Sequence, residues 1–317
     1  MYSNSNDTTI CLPAPKVERE PVLDDREWQS AVADLVEYEK SADPLMTERV
    51  VELSARPAKA VPRVWTVFLS LVLAIVAIVV TQIALAVVLA VWLTAKGVAS
   101  QDLQGRLMEI VGGPAGFIGF GLAAQLAIGL AAVVPAALSR RPLLQRVGLV
   151  GAKLPSWGFP VVMIGSLLPA SLGILAAVQL ARVLPADSSV AALYENLTLG
   201  WAIPFVLFIS LAPGLMEELL FRGYLQTRLL ERWKPGFAIV VSSSLFALFH
   251  ITPHGIALAF IAGLFLGVLA WRTGSIWPGV LCHAFINGSV NVLRLGVRFG
   301  AWSGSLTGVA GIVMTGL

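Results

Sequence analysis

Long apolar runs, separated by short polar segments, fill the chain after residue 63. A helix needs about 20 mostly apolar residues to cross a bilayer, and most of these runs reach that length. The runs lie near Val64–Leu93, Ala115–Leu138, Trp157–Leu180, from Trp201 through Glu217, Phe237–Ile251, Ile256–Trp271 and Ile276–Leu295. The Gly-rich apolar tail Ala301–Leu317 is a candidate for an eighth. The pattern predicts an all-α polytopic membrane protein with seven to eight transmembrane helices.

The composition supports this class and excludes others. Hydrophobic residues make up 57% of the chain and charged residues 13%, against about 25% charged in a soluble domain. The net charge of +3 indicates basic loops beside lipid headgroups, so a nucleic-acid partner is not expected. Only Cys11, in the polar tail, and Cys282, in an apolar run, occur, so a disulfide scaffold is not implied.

The polar and apolar segments divide the chain into four parts. Residues 1–63 form a polar tail with twelve acidic and eight basic residues, expected to be partly disordered, with a short amphipathic helix around Trp28, Val32 and Val36. Residues 64–200 hold the first membrane helices, and residues 201–295 hold the helices with intramembrane polar groups. Residues 296–317 form the apolar C-terminal tail.

The distribution of basic residues predicts an orientation. Lysine and arginine precede the first span and follow the second, fourth and sixth spans, whereas the loop before Trp201 carries Asp187 and Glu195. Because cytoplasmic loops carry the excess of Lys and Arg, the N-terminus is expected in the cytoplasm. In a prokaryote the membrane would be the plasma membrane.

Three ionisable residues interrupt the fourth apolar run: Glu217, Glu218 and Arg222. Each such group costs at least about 2.5 kcal/mol at the centre of a membrane helix, which makes it a functional candidate. Glu218 and Arg222 are four residues apart, a spacing that suits an ion pair with a structural role. Glu217 points about 100° around the helix from Glu218 and is left freer to act as a base.

More polar residues follow in later runs. His250 ends the fifth run, four residues after Phe246, and His283, Asn287 and Asn291 form a stripe at successive steps of four. Polar faces on several membrane helices are satisfied when they converge on a common interior cavity, so we expect a polar active-site cavity inside the bundle. His254, between Pro253 and Gly255, is expected on a surface loop.

Three motifs taken together resemble the signature of the CPBP intramembrane protease family, which includes the CAAX-prenyl-protease-like and bacteriocin-processing (Abi) enzymes. They are Glu217-Glu218-x-x-x-Arg222, Phe246-x-x-x-His250 and His283-x-x-x-Asn287. The resemblance extends over roughly residues 202–292 and implies an endopeptidase (EC 3.4 class) that acts within the membrane, near its cytoplasmic face. Its substrate would be a peptide or protein, with CAAX-type prenylated chains as one class.

The resemblance also implies roles for the residues. Glu217 and His250 would activate a water molecule, and His283 with Asn287 would form the oxyanion site. Glu218 would orient the site and pair with Arg222.

The sequence is also compatible with a zinc site and with two other functions. His250, His283 and a glutamate could instead hold zinc, with one open position for water, although no His-Glu-x-x-His helix occurs. No cofactor is otherwise expected. A non-proteolytic membrane scaffold or regulator of the same family is the main alternative function, and a proton-coupled transporter is another.

Overall fold

The structure, a computed structural model, describes residue 30 and residues 64–139, 141–184 and 193–301. The chain divides into two compact units, Met1–Val61 and Pro62–Leu317, and every helix named below lies in the second unit. The described part of that unit is built from α-helices, one π-helix and short connections, without strands. This confirms the predicted all-α class.

The helices follow one another in a simple order. They are α1 Trp65–Ala95, α2 Ser100–Gly112, α3 Pro114–Ala137, α4 Leu143–Arg146, α5 Gly158–Gly165, α6 Leu167–Ala181, α7 Leu199–Glu218, the π-helix Leu219–Gln226, α8 Thr227–Leu230, α9 Pro235–Leu248, α10 Pro253–Thr273 and α11 Trp277–Arg298. Helices α5 and α6 together form one span, and α7, the π-helix and α8 form another.

Six segments within the described residues are long and apolar enough to cross a membrane, which confirms a multi-pass membrane protein. The run near 237–251 forms α9, whose 14 residues extend about 21 Å and fall short of a hydrocarbon core of about 30 Å. The sequence analysis does not anticipate α2, which carries Asp102, Arg106 and Glu109 among its apolar residues. The predicted tail helix and the helix around Trp28 lie outside the described residues.

The exposed surface of helix α1 is apolar and indicates the environment around the bundle. Its apolar side chains face outward over most of its length, and Val72, Val76, Val80 and Ile83 are each about half exposed. Long apolar surfaces of this kind are stable in contact with lipid and not with water. The outer face of α1 is therefore a lipid-facing surface.

Contacts between loops distinguish the two ends of the bundle. At one end Lys153 donates its backbone N–H to the Thr273 carbonyl over 2.9 Å, and Arg146 pairs with Glu231 at 3.0 Å. The basic end is formed by residues 141–157, 231–234 and 274–276. At the other end Arg298 donates to the Leu197 carbonyl over 3.2 Å. The far end is formed by α2 and by residues 182–184 and 193–198.

The π-helix packs tightly against the basic end. All eight of its residues are buried. Gly223 lies so close to the loop after α4 that a Cβ built on it would sit 2.2 Å from the carbonyl oxygen of Val147. Because backbone atoms cannot rotate away as a flexible side chain can, glycine is required at this position.

The close approach at Gly223 gives a stability prediction. Gly223→Ala should lower the free energy of unfolding by about 1–3 kcal/mol, because overpacking against backbone forces the helix to shift. The measurement is the apparent melting temperature of the detergent-purified protein. Gly236→Ala is the matched control, since a Cβ there meets no atom within 4 Å and α9 gains a better helix former. Equal melting temperatures for the two variants would contradict this account.

Candidate functional site

A buried cluster of charges lies where α7, the π-helix and α11 meet. Arg222 Nη1 donates to Glu218 Oε1 over 2.7 Å, and the side chains of both residues are fully buried. His283 Nδ1 lies 3.1 Å from the same carboxylate oxygen. Arg222 also donates from Nη2 to the Gly263 carbonyl of α10 over 3.2 Å. One carboxylate is thus held by two partners from two elements, as a buried charge requires.

Glu217 occupies a different environment from its neighbour. Its side chain is 14% exposed and lines a cavity, whereas the Glu218 side chain is 0% exposed. Glu217 Oε1 accepts a hydrogen bond from Gln125 Nε2 of α3 over 2.9 Å, and its Oε2 lies 4.0 Å from His283 Nε2. Of the two adjacent carboxylates, one is fixed by Arg222 and the other faces open space.

Glycines on α3 explain how Gln125 reaches α7. Gly121 and Gly129 lie one turn before and after Gln125 on the same face of the helix. A Cβ at Gly121 would come within 2.4 Å of the Phe208 ring, and one at Gly129 within 2.5 Å of Met216 Sδ. Small residues at these positions let the helix backbones approach, as is common between membrane helices. The approach brings the amide between them into reach of the α7 carboxylate.

A proline on α7 explains how Asn287 is held. Pro213 has no N–H, so the carbonyl of Ile209 lacks the donor that an α-helix normally supplies four residues later. Asn287 Nδ2 of α11 donates to that carbonyl over 3.1 Å. This bond joins α7 to α11 and leaves the second N–H of the Asn287 amide for another acceptor.

The Phe246 ring connects the remaining predicted site residues. It is 2% exposed, with the Arg222 guanidinium 4.1 Å from its centre and the rings of His250 and His283 at 5.1 and 5.7 Å. His250 Nδ1 lies 3.2 Å from the Phe246 carbonyl. A carbonyl only accepts hydrogen bonds, so Nδ1 carries a proton in this contact, and in the neutral form of the ring Nε2 is an acceptor.

The cavity beside these residues has a volume of about 1020 Å³. Glu217, His250, His283 and Asn287 all line it, together with Gln125. Most of the rest of its wall is apolar, with a second polar group at the far end: Tyr194, Asn196, Asn291 and Arg294. A large, mostly apolar cavity with a few convergent polar groups is typical of a ligand or substrate site.

The structure therefore brings together all seven site residues predicted from the sequence, five of them catalytic candidates and two supporting. The sequence analysis does not identify Gln125, because a single glutamine in an apolar run is not distinctive apart from the glycines that flank it.

The expectation for His254 is wrong: it lies in the first turn of α10 and is 3% exposed. Pro253 begins a helix there, which Thr252 caps by accepting from the Gly255 N–H.

The alternative of a metal site finds no support in the arrangement of donors. Among the residues that the structure describes, no three His, Cys, Asp or Glu side chains are grouped so that they could hold one ion. His283 Nδ1 already contacts Glu218, and His250 Nδ1 contacts a backbone carbonyl. We therefore derive no chemical step through a metal.

Comparison with known proteins gives one family match. Residues 199–289 match the family model described as "Type II CAAX prenyl endopeptidase Rce1-like". The match includes every predicted site residue and excludes Gln125. Searches of curated proteins and of solved structures gave no significant match. Over residues 199–289 the chain is therefore similar to the Rce1-like type II CAAX prenyl endopeptidases, in agreement with the resemblance of its motifs to the CPBP proteases.

Proposed function

We propose that this protein is an intramembrane endopeptidase in which Glu217 is the general base. The observation that carries the proposal is the contrast between the two adjacent glutamates. Glu218 is buried and paired with Arg222, whereas Glu217 faces the cavity beside His283. A carboxylate that is accessible to water and oriented by a neighbour is suited to accept a proton.

The reaction needs no group beyond the protein and water. Glu217 takes a proton from a water molecule while the water oxygen attacks the carbonyl carbon of the scissile peptide bond. The C–N bond of the resulting tetrahedral intermediate then breaks, and Glu217 returns the proton to the leaving amine. The neutral form of His250, with Nε2 as an acceptor, would help to orient the water.

His283 and Asn287 are the proposed donors to the oxyanion. The second N–H of Asn287 is available for this role. His283 Nδ1 is directed at Glu218, so Nε2 donates only when the ring is protonated on both nitrogens. The carboxylates of Glu218 and Glu217 lie 3.1 and 4.0 Å from Nδ1 and Nε2, on opposite sides of the ring. A preorganised donor of this kind is worth about 3 kcal/mol in a dry site.

Glu218, Arg222 and Phe246 would act through His283. Glu218 fixes the ring through Nδ1, Arg222 balances the charge of Glu218, and Phe246 packs against both Arg222 and His283. The apolar cavity wall would accept a hydrophobic peptide or a lipidated chain, and surrounding lipid is the other expected partner.

Replacing the proposed base tests the function. Glu217→Gln removes the carboxylate that accepts the proton and keeps the shape of the side chain, so cleavage should fall by about 10²–10⁴-fold. The assay is cleavage of a fluorogenic peptide library by protein reconstituted in liposomes. Glu195→Gln is the matched control: residue 195 is exposed and its described contact uses the backbone carbonyl, so its activity should be unchanged.

Two results of that assay would contradict the proposal. Full cleavage by Glu217→Gln would exclude Glu217 as the base. Loss of wild-type cleavage after exhaustive chelation, with recovery on adding zinc, would assign the histidines to a metal instead.

The hydrogen bond from α3 gives a second prediction. Gln125→Leu removes the donor that orients Glu217, and kcat should fall by about 10–100-fold with little change in KM, because a misplaced base affects the chemical step more than binding. Gln82→Leu is the matched control. Its amide also makes an interhelical hydrogen bond, to the Phe120 carbonyl over 3.0 Å, but does not contact the site.

A similar loss of kcat in both glutamine variants would show that Gln125 serves only helix packing. Partial recovery of kcat in Gln125→Asn, whose shorter amide can still donate, would support positioning of the glutamate.

A further inference from the structure

The basic end of the bundle carries an excess of positive charge. Five lysine or arginine side chains lie within residues 141–157 and 231–234, against one acidic side chain, that of Glu231. The far end carries two basic and three acidic side chains among its described residues. An anionic ligand is therefore attracted to the basic end and not to the far end.

Three arginines at the basic end share a single carboxylate. Glu231 Oε1 accepts hydrogen bonds from Arg141 Nη1 over 2.6 Å and from Arg146 Nη1 over 3.0 Å. Arg228 of α8 lies within electrostatic range of all three of these residues. Three positive charges and one negative charge leave this arginine cluster with a net charge of +2.

Two of the three arginines are buried. Arg146 is 7% exposed and Arg228 is 8% exposed, and Nε of each has no hydrogen-bond partner among the described residues. Arg228 donates from Nη1 to Thr66 Oγ1 over 2.9 Å, and its guanidinium lies 4.5 Å from the centre of the Tyr224 ring. Both of these partners are neutral, and the one carboxylate of the cluster already pairs with the other two arginines. Because buried charge is unfavourable unless it is balanced, the cluster is suited to take up an anion.

The arginine cluster lies where the bundle meets lipid. Thr66, the partner of Arg228, is in the first turn of α1, the helix with the lipid-facing outer surface. Trp65, Phe68 and Val72 continue along α1 at helical spacing and are between 46% and 55% exposed. Tryptophan is enriched at the level of the lipid headgroups, so Trp65 places this end of α1 at that level. The nearest abundant anions are then the phosphates of the lipids themselves.

We propose that the arginine cluster binds the phosphate of an anionic phospholipid headgroup. The Arg141 side chain is 61% exposed and makes the direct contact, since a guanidinium can donate two parallel hydrogen bonds to a phosphate. Arg146 and Arg228 lie behind it and add electrostatic attraction. The acyl chains lie along the exposed apolar face of α1. Basic pockets beside membrane helices bind anionic headgroups in this way.

This lipid site is separate from the candidate active site. None of the residues of the arginine cluster lines the cavity beside Glu217. The inference therefore does not depend on the proposed function. A lipid bound here would connect the start of α1 with α8 and with the segment before α4, so binding should stabilise the folded protein.

Thermal unfolding of the delipidated, detergent-purified full chain tests the site. Phosphatidylglycerol should raise the melting temperature by about 2–4 °C more than phosphatidylcholine with the same acyl chains, which carries no net charge. Arg141→Gln should abolish this difference. Arg106→Gln of α2 should keep it and is the matched control. The Arg106 side chain is 60% exposed and pairs with Glu109 at 2.7 Å, much as Arg141 is 61% exposed and pairs with Glu231 at 2.6 Å.

Lipid binding followed by native mass spectrometry gives a readout that does not depend on stability. Removing the Arg141 charge should weaken binding of phosphatidylglycerol about fivefold, and Arg228→Gln should weaken it by a similar factor. If Arg228→Gln fails to fold, the exposed position 141 still decides the outcome. Glu217→Gln should bind the lipid like the wild type, which separates this test from the test of the protease chemistry.

Three results would overturn the inference. The first is equal binding of phosphatidylglycerol by the wild type and Arg141→Gln. The second is an equal loss in Arg141→Gln and Arg106→Gln, which would show unspecific attraction to positive charge. The third is the same stabilisation by inorganic phosphate alone, which would assign the cluster to a free anion and not to a lipid.

Discussion

The contact on which the site depends is the buried triad of Glu218, Arg222 and His283. A carboxylate removed from water costs several kcal/mol unless it is paired and hydrogen-bonded. Here Arg222 at 2.7 Å and His283 at 3.1 Å share Glu218 Oε1. His283 Nε2 also lies 4.0 Å from Glu217 Oε2, so the imidazole stands between the two carboxylates. Each buried polar group of the triad therefore has a partner inside the membrane protein.

Close packing of the neighbouring helices makes the triad possible. A Cβ on Gly263 of α10 would lie 3.3 Å from Arg222 Nη2, and one on Gly279 of α11 would lie 2.8 Å from Glu218 Oε2. Glycine at both positions lets the two helices enclose the ion pair. Pro213 has a complementary effect, since it frees a carbonyl that Asn287 then occupies. Glycine and proline, which weaken isolated helices, here fix the positions of polar side chains between helices.

The sequence predicts those parts of the structure that depend on local pattern. The apolar runs predict the six long spans closely, and the spacing of Glu218 and Arg222 predicts their ion pair. Contacts between distant segments are not encoded locally, so the role of Gln125, 92 residues from its partner, becomes visible only in the fold. The prediction for His254 is wrong because the flanking Pro253 and Gly255 fit a turn and a helix start equally well.

A double-mutant cycle on Glu218 and Arg222 tests most directly whether the buried pair exists to hold His283. Arg222→Met should lower the free energy of unfolding by about 3–5 kcal/mol, because the buried Glu218 carboxylate loses its permanently charged partner and keeps only His283. Combining it with Glu218→Met removes both charges, so the melting temperature should recover. Peptide cleavage should stay low in the double variant, because His283 has lost its anchor. A double variant that melts and cleaves like the wild type would contradict the account.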